Sequence, residues 1–410
     1  MTTTINNEHK KLNVPNLRFP EFQGEWKKTT IGEIATIKNG PFGSVLHAED
    51  YVDEGMPIVT TEHFKSGNLP LSKNGIPQVS EDDYCRLKGY MLETDDIVFS
   101  RVGSVDINAH VEHVQQGWLF SGRVLRVRPI KSVNSLCLHY VLSTESVKRD
   151  IRNRAVGQTM PSINTPILSN TGIYMSQSEA EQKKIANLLS IIDERIATQN
   201  KIIEDLKKLK CAIIEKHYRQ AKLHKYKICD LGVPFSVGSL SKEDLSEEGH
   251  ECILYGELFT TYDCVINEVK SHTNKIANTT LSQKGDLLFP SSTTVDAVSL
   301  ISPSVIDIPN VILGGDMFGI HIDKKFNAYY LSYYINLIAR KKLAIYAKGS
   351  TIIHLHYKDI AKAQLLLPDL CEQDKIAKCM MAEDAKIKLE EQLLTKLEKQ
   401  KQYLLRQMFI

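Results

Sequence analysis

Nowhere in the 410 residues is there an apolar run near the ~18 residues that a bilayer-crossing helix requires. A helical membrane anchor is therefore excluded. The polar opening, residues 1–11, lacks the apolar core of a secretory signal, so the chain is expected in the cytoplasm with no membrane partner. Paired cysteines are missing too. Cys85, Cys137, Cys211, Cys229, Cys252, Cys264, Cys371 and Cys379 are scattered, and none forms the C-x-x-C pair typical of structural zinc, so no metal is expected. Charge of one sign is not in excess: 51 Lys+Arg against 49 Asp+Glu leave a net +2. Any phosphate-binding surface must therefore be a local patch. There is no G-x-x-x-x-G-K-[ST] loop, no Asn-Pro-Pro-aromatic tetrapeptide of the amino-methylating DNA enzymes, and no glycine-rich turn suited to S-adenosylmethionine. No cofactor is expected in this chain.

What is present is a tandem repeat, a feature that decides the fold reading before any local one. Glu181-Gln-Lys-Lys-Ile-Ala186 recurs as Glu372-Gln-Asp-Lys-Ile-Ala377, and Leu206-Lys-Lys-Leu-Lys210 as Leu397-Glu-Lys-Gln-Lys401, both shifted by 191 residues. Gly157-Gln-Thr-Met-Pro-Ser-Ile-Asn164 aligns with Gly349-Ser-Thr-Ile-Ile-His-Leu-His356 at a shift of 192, and Asp96-Ile-Val-Phe-Ser100 with Asp286-Leu-Leu-Phe-Pro290 at 190. Two copies are too few for a solenoid and suit a pseudo-two-fold molecule.

Each copy ends in a long helix. Residues 179–222 contain no Pro or Gly, and Ile185, Leu189, Ile192, Ile196, Ile203, Leu206 and Ile213 form a heptad-like stripe interrupted by Gln199 and Lys210. The second copy shows Ile376, Met380, Ile387, Leu394, Leu397, Leu404 and Met408, interrupted by Glu383 and Glu390. Neither helix can bury its stripe alone, and an antiparallel pair would bury both. Ser176 or Ser178 caps the first start, and Pro368 ends the strand before the second.

Upstream of each helix lie short β-branched runs punctuated by glycines, among them Gly40, Gly43, Gly55 and Gly103, with one helix expected over 135–155 and another over 327–347. Both helices end in cations: Lys148, Arg149, Arg152 and Arg154 before the Gly157 loop, and Arg340, Lys341, Lys342 and Lys348 before the Gly349 loop. Cations in a last helical turn also complement the helix dipole, but the same cluster beside the same hydroxyl-bearing loop in both copies points to phosphate contact. The loop glycines allow close backbone approach to a ligand. Asp369, Asp384 and Lys386 imitate an acid…acid-x-Lys nuclease pattern, although the first copy has no matching Pro-Asp. His354 and His356 form an H-x-H pair whose counterparts are Ser162 and Asn164, which disfavours a metal site.

With these residues in view, the sequence resembles the specificity subunits of type I restriction-modification systems. The opening Leu17-Arg-Phe-Pro-Glu-Phe-Gln-Gly-Glu-Trp26, running into Thr30-Ile-Gly-Glu-Ile-Ala35, and both Glu-Gln helix starts carry the resemblance, which covers nearly the whole chain from Trp26 onward. It implies an α+β fold: two target recognition domains, β-rich with helices, related by pseudo-two-fold symmetry and joined by two long antiparallel coiled-coil helices. The expected boundaries are a leader over 1–25, recognition domains over 26–176 and 225–368, and helices over 177–224 and 369–410. Lys227-Ile-Cys-Asp-Leu-Gly232 is a poor echo of Thr30-Ile-Gly-Glu-Ile-Ala35, and Val237-Gly-Ser-Leu-Ser241 poorly matches Lys38-Asn-Gly-Pro-Phe-Gly-Ser44, which leaves the second domain's start open.

The resemblance implies that each domain reads half of a bipartite site in double-stranded DNA. It implies further that the paired helices space the domains and dock two methyltransferase subunits, which endonuclease-translocase subunits then join. Methylation and cleavage, with S-adenosylmethionine, ATP and Mg, belong to those partners. The half-sites are expected a few base pairs long with a gap of roughly 6 bp between them. Candidate DNA contacts are Lys38, Asn39, Arg101, Lys148, Arg152, Arg154, Gln158 and Thr159 in the first domain, and Ser292, Thr293, Arg340, Lys341, Lys348, Ser350 and Thr351 in the second. Ile185, Leu189, Ile192, Ile196, Ile203, Leu206, Ile376, Met380, Ile387, Leu394, Leu397 and Leu404 are the coiled-coil, partner-binding set. Two rival readings stand beside this one: a coiled-coil scaffold whose domains bind proteins, and a self-contained nuclease.

Overall fold

The computed structural model describes residues 13–41 and 46–410; the start of the leader and the turn expected at Gly43 lie outside the described residues. The chain divides into two compact units, Met1–Gln199 with Leu393–Ile410, and Asn200–Gln392. The helices Glu179–Gln220 and Leu370–Gln407 each begin in one unit and end in the other. No helix among the described residues is long and apolar enough to cross a membrane.

In the first unit an antiparallel sheet runs in the order Ala35–Asn39, Val124–Pro129, Ile97–Ser100, Asn108–His110. Successive side chains on a strand point to opposite faces. Ile97 and Phe99 join Leu125 and Val127 in a core with the helices, whereas Val98 and Val124 pack with Val59 and Phe120. Burial on both faces is why Ile-Val-Phe reads as a continuous apolar run. Phe120 and Val59 belong to a second sheet, ordered Tyr51–Val52, Gln78–Val79, Met56–Val59, Leu119–Phe120, whose last pair is parallel.

The second unit repeats the plan. Gly232–Ser236, Met317–Ile322, Asp286–Pro290 and Ser304–Ile306 form the matching sheet, extended by Val265–Ile266. His250–Leu254 and Ile312–Gly314 form the matching parallel pair. The weak echo at residue 227 is a structural match. After strand Lys27–Thr30 the Glu33 carboxylate accepts the Thr30 N–H (3.0 Å), and after strand His224–Lys227 the Asp230 carboxylate accepts the Lys227 N–H (2.7 Å). Only an acid three residues on is needed for this turn, so the rest of the motif can drift.

The helix stripes turn into the units' own cores. Ile185, Leu189 and Ile192 pack with Leu404 and Met408 in the first unit, and Ile376 and Met380 pack with Ile214 in the second. Ile203, Leu206 and Ile387 are buried; Ile196, Leu394 and Leu397 are half-buried. The fully buried residue near the end of the first stripe is Ile214; Ile213 is only partly buried. Pairing is antiparallel within each unit: Lys401 meets Asp193 (2.5 Å) in the first, and Lys207 meets Glu391 (2.8 Å) in the second.

Of the polar interruptions of the stripe, Lys210 has a charged partner in Asp384, while one carboxylate oxygen of Glu383 is buried without one among the described residues. Asp193 also accepts the Tyr140 hydroxyl (2.8 Å), and 191 residues on Asp384 accepts the Tyr333 hydroxyl (2.6 Å) and pairs with Lys210. A half-buried, satisfied pair of this kind fixes register. The Glu-Gln helix start is a latch. Gln182 accepts the Asn134 N–H (2.7 Å) and donates to Ser176 O (2.8 Å); Gln373 accepts the Asn327 N–H (2.9 Å) and donates to Pro368 O (2.8 Å).

Two helices depart from expectation. The span 135–155 is broken into Ser135–Leu142 and Glu145–Arg154 because the Ser143 and Thr144 hydroxyls bond back to His139 O (2.9 Å) and Val141 O (2.8 Å). The span 327–347 passes from α-helix Ala328–Tyr334 through a π turn, Ile335–Ala339, where the Asn336 amide donates to Ser332 O (2.9 Å) and Pro303 O (2.7 Å). It then continues through Arg340–Leu343 into a 3₁₀ turn, Ala344–Tyr346.

Candidate nucleic-acid interface

Each unit closes one short hairpin. Val156 and Ser162 exchange two backbone hydrogen bonds of 2.9 Å, and Lys348 and His354 exchange two of 2.9 and 2.7 Å. A third segment pins each one: the Ile163 N–H donates to Arg101 O (2.9 Å), and the Leu355 N–H to Ser291 O (2.9 Å). The second hairpin also pairs as a ribbon, Ser292–Thr293 with Ile353–His354.

Gly157 and Gly349 open the hairpins in the left-handed region, at φ +101° and +118°. A Cβ at 349 would stand 2.0 Å from Ile352 O, and one at 157 would stand 2.9 Å from Met160 O. At both positions the loop's own backbone already approaches closely enough to require glycine. Gln158, Thr159, Ser350 and Thr351 project from the tips, exposed and without a side-chain hydrogen bond among the described residues.

The basic clusters are thinner than the sequence implies. Arg152 is bonded to Asp106 and Glu145, which hold its proton more tightly than usual. Arg154 pairs with Asp150 (3.0 Å) and reaches Asn170 O (3.1 Å). Lys348 pairs with Asp359 (2.5 Å), and its hydrogen bond holds that carboxyl below the usual range. These three charges are locally neutralised. Lys148, Arg149, Lys341 and Lys342 have no ion pair among the described residues. The Arg340 guanidinium donates to the Val298 (2.7 Å) and Ser299 (3.1 Å) carbonyls and makes no direct ion pair among the described residues, although its charge is felt by Asp296.

The remaining candidates divide. Arg101 sits at the pinned base of the first hairpin and donates to Gly122 O (3.0 Å). Lys38 is drawn elsewhere: it donates to Gly89 O (2.7 Å) over the Tyr90 ring. It also pairs in register with Arg126, on the sheet face opposite Leu125 and Val127. Asn39, beside it, has a buried Oδ1 without a partner. In the second unit Ser292, Thr293 and Arg340 meet Ile352 and His354 along a cleft of about 1050 Å³. Lys348 lines a neighbouring recess of about 560 Å³, and His354 and Asp316 border both.

His354 and His356 stack with ring centroids 6.2 Å apart, and no group of three or more metal-capable side chains occurs among the described residues. The nuclease-like acids have structural duties. Asp369 caps the second long helix by accepting the Glu372 N–H (3.0 Å), and Asp384 is held by Tyr333 and Lys210. Sequence reasoning missed the Tyr–Asp–Lys sets, although the 191-residue shift between Asp193 and Asp384 would have exposed them. It also missed the apolar residue that ends each hairpin tip, Met160 and Ile352.

Comparison with known proteins gives one answer. The family model for the type I restriction modification DNA specificity domain matches residues 23–208 and again 222–399. A Methanocaldococcus jannaschii protein provisionally named the type I restriction enzyme MjaX specificity subunit is 25% identical over 428 residues, covering 96% of this chain and 95% of the relative. The MjaVIII specificity subunit of the same organism is 23% identical over 213 residues, covering 50% and 48%. Among solved structures, the S subunit of a type I restriction-modification system from M. genitalium shares the fold at TM-score 0.62 and 17% identity, covering 97% and 99%. A chain from a study of assembly and conformational transition in the type I R-M system follows at 0.55 and 13%, covering 93% and 96%.

Proposed function

Because the chain belongs to the type I restriction-modification DNA specificity family, we propose that its two units each read one half of a split site in double-stranded DNA through the glycine-opened hairpins. The observation that carries this reading is repetition. Two diverged copies keep the same pinned hairpin, with polar side chains exposed at its tip and unpaired cations on the helix leading to it. Gln158, Thr159, Ser350 and Thr351 are assigned to base edges or phosphates, together with Ser292, Thr293 and Arg101. Lys148, Arg149, Arg340, Lys341 and Lys342 are assigned to phosphates. Arg152, Arg154 and Lys348 position the loops through their carboxylate pairs.

The two long helices hold the gap between half-sites. Because their stripe residues are buried or half-buried in the chain's own packing, docking of methyltransferase subunits falls to the apolar residues left outside, such as Ile191, Ile202, Leu209, Leu389 and Leu393. Methyl transfer and cleavage reside in those partners and in the endonuclease-translocase subunits, and the assembly works in the cytoplasm.

The test is a base-resolution map of methylated adenine in host DNA with and without this gene. A split motif that loses methylation on deletion assigns its recognition to this chain. An unchanged map in a host whose partner subunits are expressed would reject the reading. Exchanging residues 157–161 for those of another specificity subunit should alter one half-site alone.

A further inference from the structure

We propose that Met160 and Ile352, at the tips of the two hairpins, are apolar wedges that press on DNA bases, a contact distinct from phosphate binding and hydrogen-bond readout. The inference rests on the DNA-reading function above and adds a second mode of contact to the same loops.

The two residues hold the same place. Each is the fourth residue of its loop, in Gly157-Gln-Thr-Met160 and Gly349-Ser-Thr-Ile352, and each lies two residues before the bridge residue that closes the hairpin. Each is a large apolar side chain left in water, Met160 at 64% and Ile352 at 50% exposure. Folding does not call for either, since neither joins an apolar core cluster of its unit. A single exposed apolar residue means little. The same exposure at the same pinned position in two copies, beside the shared glycine and threonine but with a different apolar side chain in each, is harder to assign to chance.

The surroundings identify the occupant. Ile352 lines the cleft that also holds Arg340, Ser292 and Thr293. Both tips follow a helix that carries unpaired cations and sit beside exposed Thr159 or Thr351. Cations and hydroxyls around a lone apolar tip match the phosphate–sugar–base order of a nucleic-acid groove; an apolar protein face would leave the cations unmatched. Met, Ile, Leu and Phe are the side chains that proteins insert between base steps, and the thymine methyl offers the alternative apolar contact. Pinning by Arg101 O and Ser291 O gives the tips the rigidity to press against a stacked duplex.

The test uses the complex reconstituted with its modification subunits and duplexes carrying the mapped split site, with 2-aminopurine at successive positions. Met160→Ala should weaken binding roughly tenfold and abolish the fluorescence rise in the first half-site only; Ile352→Ala should do the same in the second. The salt dependence of binding should keep its slope, because no charge is removed. Met160→Leu and Ile352→Val should retain binding, and thermal unfolding should not shift. Loss of binding on replacing thymine by uracil, with no fluorescence rise, would place the wedge on the thymine methyl. Unchanged affinity and fluorescence in both alanine variants would overturn the wedge while leaving DNA reading intact. A wild-type complex that binds no DNA would overturn both.

Discussion

The two units build sheets on the same plan, with an added strand in each of the second unit's, and share the glutamine latch and the hairpin, yet they fasten their long helices differently. In the first, Glu181 is fully buried. Arg18 from the leader grips it (2.7 and 2.9 Å) and Ser176 donates to it (2.5 Å). Burial pushes this carboxyl up, but the bonds from Arg18 and Ser176 outweigh it and hold it below its usual value. In the second unit the equivalent Glu372 lies nearer solvent and, among the described residues, its carboxylate meets only Lys375 on its own helix (2.6 Å). Groups that bond backbone and the Tyr–Asp–Lys sets on the long helices have been kept in both copies, whereas the partners of Glu181 and Glu372 have diverged with whatever chain lies nearby. A second pair makes the same point: Asp96 is bonded by Arg128 (2.6 Å), while its counterpart Asp286 is bonded by His321 (2.6 Å).

Removing the fastening is the strongest way to break the symmetry. Arg18→Ala strands a buried carboxylate and should cost about 3–5 kcal/mol in chemical denaturation. Glu372→Ala removes a solvent-screened pair and should leave stability nearly unchanged. Equal effects would show that the leader is not the lock. The hairpins come next. Gly349→Ala meets backbone at 2.0 Å and Gly157→Ala at 2.9 Å, both at positive φ. Local strain of about 1–3 kcal/mol should therefore weaken methylation of the second half-site more than of the first.

Acid should separate the units further. Burial, and to a lesser degree the charges of His110, Lys401 and Lys148, push the fully buried His139 down to about 3 from an ordinary 6.5. The unfolded chain takes up a proton that the fold refuses, so this contribution is present above pH ~6.5 and is lost as pH falls toward 3. Ser332 stands at the equivalent place and donates to Cys264 O (2.7 Å), with nothing to titrate. Asp286 has the opposite sign. Burial raises it, against the Gln283 and His321 bonds, so its contribution favours the fold at low pH and fades as pH rises. Hydrogen exchange at pH 5 and 7 should show Ser135–Leu142 losing protection on acidification before Ala328–Tyr334 does.

The smallest effect sharpens the charge assignment. Arg149→Gln and Lys341→Gln should each lower the salt slope of DNA binding by about 0.9. Arg152→Gln should leave the slope alone and reduce stability slightly, because Asp106 and Glu145 already neutralise that guanidinium.

Much of this molecule was written in the linear chain. The 191-residue shift, the breaker-free helices, the apolar run Ile-Val-Phe and the paired glycine loops each follow from short-range chemistry repeated twice, and repetition makes a weak signal legible. The charged contacts were legible only in part. Arg154 meets Asp150 four residues back on its own helix, a spacing open to the sequence, whereas Arg152 meets Asp106, 46 residues away. Nor does periodicity say that Lys38 turns toward Tyr90, that Ser143 and Thr144 would break a helix, or that the poor echo at Lys227 makes the same turn as Thr30. Pattern and propensity act within a few residues and set which elements form. Long-range ion pairs such as Arg18 with Glu181 and Arg152 with Asp106, loop pinning and the exposure of a tip side chain are set by neighbours distant in sequence, and those only the tertiary structure brings together.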